Sequence, residues 1–93
     1  PPLAALEHAL EARAAEPPAG SYTARLLADR NLRLKKLGEE ATELALACAD
    51  EQPERVAEEA ADLIYHTLVA ALAAGVAPAA VLAALERRLP SRT

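Results

Sequence analysis

Residues 31–74 read NLRLKKLGEEATELALACADEQPERVAEEAADLIYHTLVAALAA, and this stretch decides the fold. Leu, Ala, Glu and Lys favour helix, while β-branched residues are few and never alternate with polar ones, so no strand is expected. Asn31 can cap a helix start, Pro53 suits a first helical turn, and Gly75 supplies a left-handed stop. This punctuation predicts one helix from 31 to about Asp50 and another from 53 to about Ala74. Two or three residues join them, so the pair folds back as an antiparallel hairpin and the residues on the facing sides meet in space.

Outward from the hairpin, Leu3, Leu6 and Leu10 recur at three- and four-residue spacing and predict a helix over 3–16, ended by Pro17-Pro18-Ala19-Gly20. Ser21 offers an N-cap for a short helix through about Ala28. Pro78 starts a fifth helix that stops before Pro90. An all-α fold of five helices in a single domain, 1–93, is the expectation. With no Phe, Trp or Met the core must be Leu, Val, Ile and many Ala. Such a core is thin, and burial against a second copy is a natural remedy: a helical bundle completed by dimerisation, a homodimer.

The net charge of −4 argues against a nucleic-acid partner, which calls for a basic face. No apolar run approaches a membrane span and no signal peptide is recognised, so a cytoplasmic protein without a membrane partner is expected. The single Cys48 excludes an intramolecular disulfide, and among Leu44, Ala45 and Ala49 it reads as a small buried hydrophobe. Charge is also segregated. Nine of the fourteen acids fall between Glu39 and Asp62, and five of the ten basic residues fall just upstream, between Arg25 and Lys36.

Glu39, Glu40 and Glu43 share one side of the first long helix through their three- and four-residue spacings, and Glu59 and Asp62 share one side of the second, with His66 a turn further on. The hairpin can bring the two patches together. Crowded carboxylates repel and raise one another's pKa unless a cation neutralises them. An oxygen-only ligand set selects a hard ion, so Mg²⁺ is the expected cofactor, with Mn²⁺ able to substitute. The competing reading is a solvated charged face. Against it, the Glu59, Asp62, His66 stripe runs on into Val69, Ala70 and Ala73, and the Glu40, Glu43 side runs on into Ala47, as sides that face protein do.

Three stretches carry a resemblance: Ser21-Tyr22-Thr23-Ala24-Arg25-Leu26-Leu27, then Lys36-Leu37-Gly38-Glu39-Glu40-Ala41-Thr42-Glu43, then Glu59-Ala60-Ala61-Asp62-Leu63-Ile64-Tyr65-His66. Glu-Glu-x-x-Glu followed by Glu-x-x-Asp is similar to the all-α nucleoside triphosphate pyrophosphatase superfamily, which includes MazG-like enzymes and dimeric dUTPases. The Ser-Tyr-Thr stretch, the Lys-x-Gly lead-in and the Tyr-His end resemble its phosphoribosyl-ATP pyrophosphatase family, which acts early in histidine biosynthesis. The resemblance covers nearly the whole chain. It implies Mg²⁺-dependent hydrolysis of the α,β phosphoanhydride of phosphoribosyl-ATP to phosphoribosyl-AMP and pyrophosphate, by a homodimer. It implies Glu40, Glu43, Glu59 and Asp62 as metal ligands, with Glu39 and Glu40 catalytic and Glu39 supporting the site or positioning the attacking water. One departure stands out. Where relatives often carry a Gly after the Ser-Tyr-Thr helix, this chain has Ala28-Asp29-Arg30-Asn31-Leu32, and Asn31 is expected to supply the left-handed turn.

Lys35, Lys36, Arg25, Arg30 and Arg33 are candidates for phosphates that a metal leaves uncovered. Lys36 can equally pair with Glu40 within the helix. Tyr22 and Tyr65 are the only aromatic residues. Tyr22 can stack on a base, and Tyr65 is expected to pack in the core or an interface. His66 is expected to support the Asp62 carboxylate from behind, and Ser21 to act as an N-cap. Two further readings remain open on the residues alone: a house-cleaning pyrophosphatase for free nucleotides such as dCTP or dUTP, and a non-catalytic helical dimerisation module.

Overall fold

The computed structural model describes residues 21–89. They form α1 (Tyr22–Ala28), α2 (Arg30–Ala49), α3 (Pro53–Ala73) and α4 (Pro78–Arg88), with no strand among the described residues. The helix expected over 3–16 lies outside them, so four of the five expected helices are seen.

α1 and α2 begin at side-chain caps, and α3 and α4 begin at a proline with no side-chain cap. Ser21 is extended, and its Oγ accepts from the Ala24 N–H at 3.0 Å, satisfying one of the orphan donors of α1. The joint between α1 and α2 differs from the expectation. Asp29 makes the turn itself: its backbone N–H donates to the Arg25 carbonyl at 3.0 Å, while its Oδ1 accepts from the Leu32 N–H at 3.0 Å. One extended residue, φ −118°, closes one helix and caps the next, so no left-handed residue is needed. Asn31 therefore lies inside the first turn of α2 and is not its cap.

Between α2 and α3, Glu51 takes the left-handed conformation at φ 55° and Pro53 opens the next helix. The reversal is tied by Arg55, which donates to Asp50 Oδ2 at 3.0 Å. Beyond α3, Gly75 is left-handed at φ 85°, and the Val76 N–H returns to the Ala71 carbonyl at 2.9 Å. This is the glycine stop the sequence announces. Pro78 follows, fully buried in the first turn of α4.

The α2–α3 hairpin is the body of the molecule. Ala47 is fully buried in α2, and so small a side chain lets helices approach closely. Leu26 of α1 joins Leu68 and Val69 of α3 in the core, with Leu32, Tyr65, Leu72 and Val81 packed around them. Fully burying a Leu or Val side chain contributes about 1.5 to 3 kcal/mol, so these few anchors carry much of the stability. Cys48 corrects an expectation: it is exposed, because Ala47 holds the inward position and the next residue on a helix turns well away from it.

Candidate active site

The hairpin sets Glu40 of α2 against Glu59 and Asp62 of α3. One carboxylate oxygen from each lies within 4.8 Å of the others. Glu40 and Glu59 are half-buried and Asp62 is exposed, so the cluster sits at the mouth of the α2–α3 contact. Partial burial raises the Glu59 pKa, and the nearby charges of Glu43, Glu40 and Asp62 raise it further, while Arg55 opposes them. Three anions at this separation suit a divalent cation. All the donors are oxygen, which fits Mg²⁺ or Mn²⁺ and disfavours softer ions.

Of the four ligands that the resemblance implies, these three converge. Glu43 stands at the rim, where its Oε2 is 3.7 Å from Arg55 Nη2. Arg55 thus bridges Glu43 and Asp50, a role no motif announces. Glu39 faces the lysines: Lys36 Nζ is 3.4 Å from Glu39 and 3.9 Å from Glu40, and Lys35 Nζ is 3.9 Å from Glu39. The hydrogen bond to Glu39 and the field of Tyr22 hold the Lys36 ammonium above the usual lysine range, so it stays charged. An open trough of about 730 Å³ runs past Lys35, Lys36, Glu39, Glu40 and Glu43. Cations therefore stand along the same surface as the carboxylates, an arrangement suited to a metal-bound polyphosphate.

The basic residues upstream divide. Arg30 is exposed at the start of α2. Arg33 instead turns back on α1, donating from Nη1 to the carbonyls of Leu26 at 2.9 Å and Leu27 at 3.0 Å. Those carbonyls end α1 without helical partners, so Arg33 serves as its C-terminal cap.

Behind the cluster lies an aromatic wall. His66 is buried, and its Nδ1 donates to the backbone carbonyl of Asp62 at 2.9 Å, not to the carboxylate. The Tyr22 hydroxyl is 2.9 Å from His66 Nε2. Tyr65 bonds through its hydroxyl to the buried Thr23, and its ring lies nearly parallel to that of Tyr22 with centroids 6.2 Å apart. Tyr65 is thereby a packing residue, while Tyr22 keeps an exposed ring face.

A family model described as phosphoribosyl-ATP pyrophosphohydrolase matches residues 3–89. The phosphoribosyl-ATP pyrophosphatase of Methylibium petroleiphilum is 46% identical over 87 residues, covering 92% of this chain and 72% of that protein. That of Caulobacter vibrioides is 45% identical over 86 residues, covering 92% and 80%. The histidine biosynthesis bifunctional protein HisIE of Gloeobacter violaceus is 54% identical over 80 residues, which are 85% of this chain and 36% of that longer protein. With three motif carboxylates meeting across the hairpin and a family match spanning nearly its whole length, the chain belongs to the phosphoribosyl-ATP pyrophosphohydrolase family.

Proposed function

We propose that this protein hydrolyses phosphoribosyl-ATP to phosphoribosyl-AMP and pyrophosphate as an early step of histidine biosynthesis in the cytoplasm, with Mg²⁺ as cofactor. The observation that carries this reading is the meeting of Glu40, Glu59 and Asp62 within 4.8 Å beside Lys36, in a chain of this family. Glu40, Glu59 and Asp62 hold the ion, and Glu43 completes the set from the rim. Bound there, Mg²⁺ supplies charge neutralisation on the phosphates and lowers the pKa of a coordinated water; Mn²⁺ can substitute.

The remaining work falls to the chain's own groups. Glu39, exposed beside the cluster, positions the attacking water and accepts its proton on the carboxylate. The water oxygen bonds to one phosphorus of the α,β anhydride, and the bridging oxygen departs with its electron pair on the other phosphate. Lys36 and Lys35 contact phosphate oxygens, Arg30 reads the remote phosphate of the second ribose, and the exposed face of Tyr22 takes the adenine by stacking. The acting species is a homodimer, as the exposed leucines of α2 and α4 support.

The test is pyrophosphate release from phosphoribosyl-ATP beside dUTP, dCTP and ATP, with Mg²⁺ and with EDTA. Turnover of phosphoribosyl-ATP that EDTA abolishes supports the proposal. A preference for dUTP or dCTP assigns a house-cleaning activity instead. No turnover of any of them, with no effect of Mg²⁺ on thermal stability, leaves a non-catalytic module.

A further inference from the structure

We propose that Arg55 is a positioning residue that sets how readily the carboxylate cluster takes up a cation: tethered by Asp50, it holds Glu43 at the rim through an ion pair that Glu43 gives up to join Glu40, Glu59 and Asp62. The proposal rests on the reading of that cluster as a Mg²⁺ site, and it starts from the hairpin. Arg55 stands one turn before Glu59 on α3, and Glu43 one turn after Glu40 on α2. Because the helices run antiparallel, Arg55 and Glu43 meet one level nearer the reversal than Glu40 and Glu59 do. The first turn of a helix disfavours a cation, so Arg55 sits against the dipole of its own helix and is held there by Glu43 of α2 and by Asp50, the C-cap of α2.

The two acids are not held alike. Arg55 Nη1 donates to Asp50 Oδ2 at 3.0 Å, a hydrogen bond, whereas Arg55 Nη2 is 3.7 Å from Glu43 Oε2, beyond hydrogen-bond range. The planar guanidinium thus offers one terminal nitrogen to each carboxylate, which a lysine cannot do. Asp50 lies at the reversal and outside the group of three carboxylates, so it anchors the arginine without competing for a cation. Glu43 is half exposed, and its looser pair leaves its side chain room to change partner. Removing Arg55 therefore frees Glu43 for a cation. Removing the Asp50 charge shifts the arginine's donors to Glu43 and tightens its hold.

Titration of the metal-free chain with Mn²⁺, the free ion being counted by its EPR signal, tests this without substrate or turnover. An exposed ion pair is weak, so Arg55→Gln should tighten Mn²⁺ binding by about two- to fivefold, and by less than about 1.5-fold when Glu43 is already Gln. Asp50→Asn should weaken binding by about twofold, and leave it unchanged when Arg55 is already Gln. Equal effects in both backgrounds would overturn the proposal, since the long-range field of a charge acts whatever its neighbour is. Weaker binding in Arg55→Gln would overturn it too, because the arginine would then orient Glu43 towards the ion and not hold it back. If Arg55→Gln fails to fold, Asp50→Asn with and without Glu43→Gln decides the matter: a weakening that persists without Glu43 overturns the proposal. A wild-type chain that binds no Mn²⁺ would overturn it together with the metal assignment, whereas binding combined with any of the adverse results overturns the proposal alone.

Discussion

The surroundings of Glu59 oppose its charge, through partial burial first and then Glu43, Glu40 and Asp62. Its folded-state pKa is raised, so its favourable contribution is present at acid pH and is lost as pH rises through the folded value. Glu59→Gln should therefore melt at or above the wild-type temperature at neutral pH in EDTA, with the advantage disappearing in acid, while turnover is lost. Mg²⁺ should stabilise the wild type, by about 2.7 kcal/mol when the ion is at a hundred times its Kd, and so raise its midpoint while leaving the variant unmoved. A variant less stable than wild type in EDTA would mean that the cluster is not strained by its own charge. The arginines give a second contrast. Arg30→Gln should cost phosphoribosyl-ATP roughly 1.5 to 3 kcal/mol in kcat/KM, ATP far less, and leave the melting temperature alone. Arg33→Gln should lower stability and depress both substrates equally, since it removes bonds to the Leu26 and Leu27 carbonyls. The sequence could not separate these two. Both lie in one basic run, and only the geometry of the α1–α2 joint turns Arg33 inward. Spacing did mark Glu40, Glu59 and Asp62, because three- and four-residue repeats on paired helices fix a face. It could not place Glu43 against Arg55, a contact that depends on where the hairpin reverses.

Helix ends follow from local chemistry, and most were readable in advance. Ser21, Pro53, Gly75 and Pro78 each act within a turn of themselves, so no tertiary knowledge is required to see what they do. The exception is Asp29, which both closes α1 and caps α2 where Asn31 was expected to. Two acceptable caps stood close together, and what selects between them is the need to end the preceding helix in the same residue. Asp29→Ala should accordingly cost about 1 kcal/mol, measured by urea denaturation, and Asn31→Ala much less. The opposite order would return the cap to Asn31. Contacts between distant elements were not readable. Tyr22 to His66 and Thr23 to Tyr65 join residues 44 and 42 positions apart, and nothing in local spacing says that α1 crosses α3 at that level.

Taken alone, the described residues are loosely filled. Their radius of gyration is 14.4 Å, where a compact domain of this length or shorter has at most about 12 Å. Leu46 is 53% exposed, Leu85 51% and Leu89 61%, and a groove of about 240 Å³ between α3 and α4 is walled by Leu63, Ile64, Val81 and Leu85. Gly38 adds a separate argument. A glycine inside a helix costs up to about 1 kcal/mol relative to alanine, yet a Cβ here would meet nothing within 4 Å, and the backbone conformation does not call for glycine. What it permits is close approach from outside, on the face of α2 turned away from α3, where Leu34 is also exposed. A second copy of the helix is the occupant best suited to an exposed face of Leu34, Gly38, Ala41 and Ala45. The wild-type protein should therefore sediment as a dimer at low micromolar concentration, with a melting temperature that rises with protein concentration. Gly38→Leu should shift the equilibrium towards monomer, because the added side chain holds the two backbones apart, although leucine favours helix within each chain. A wild-type chain that is monomeric, folded and active at that concentration would remove the reason offered for Gly38. A Gly38→Leu variant that dimerises as tightly as wild type would move the interface to the α3–α4 groove instead.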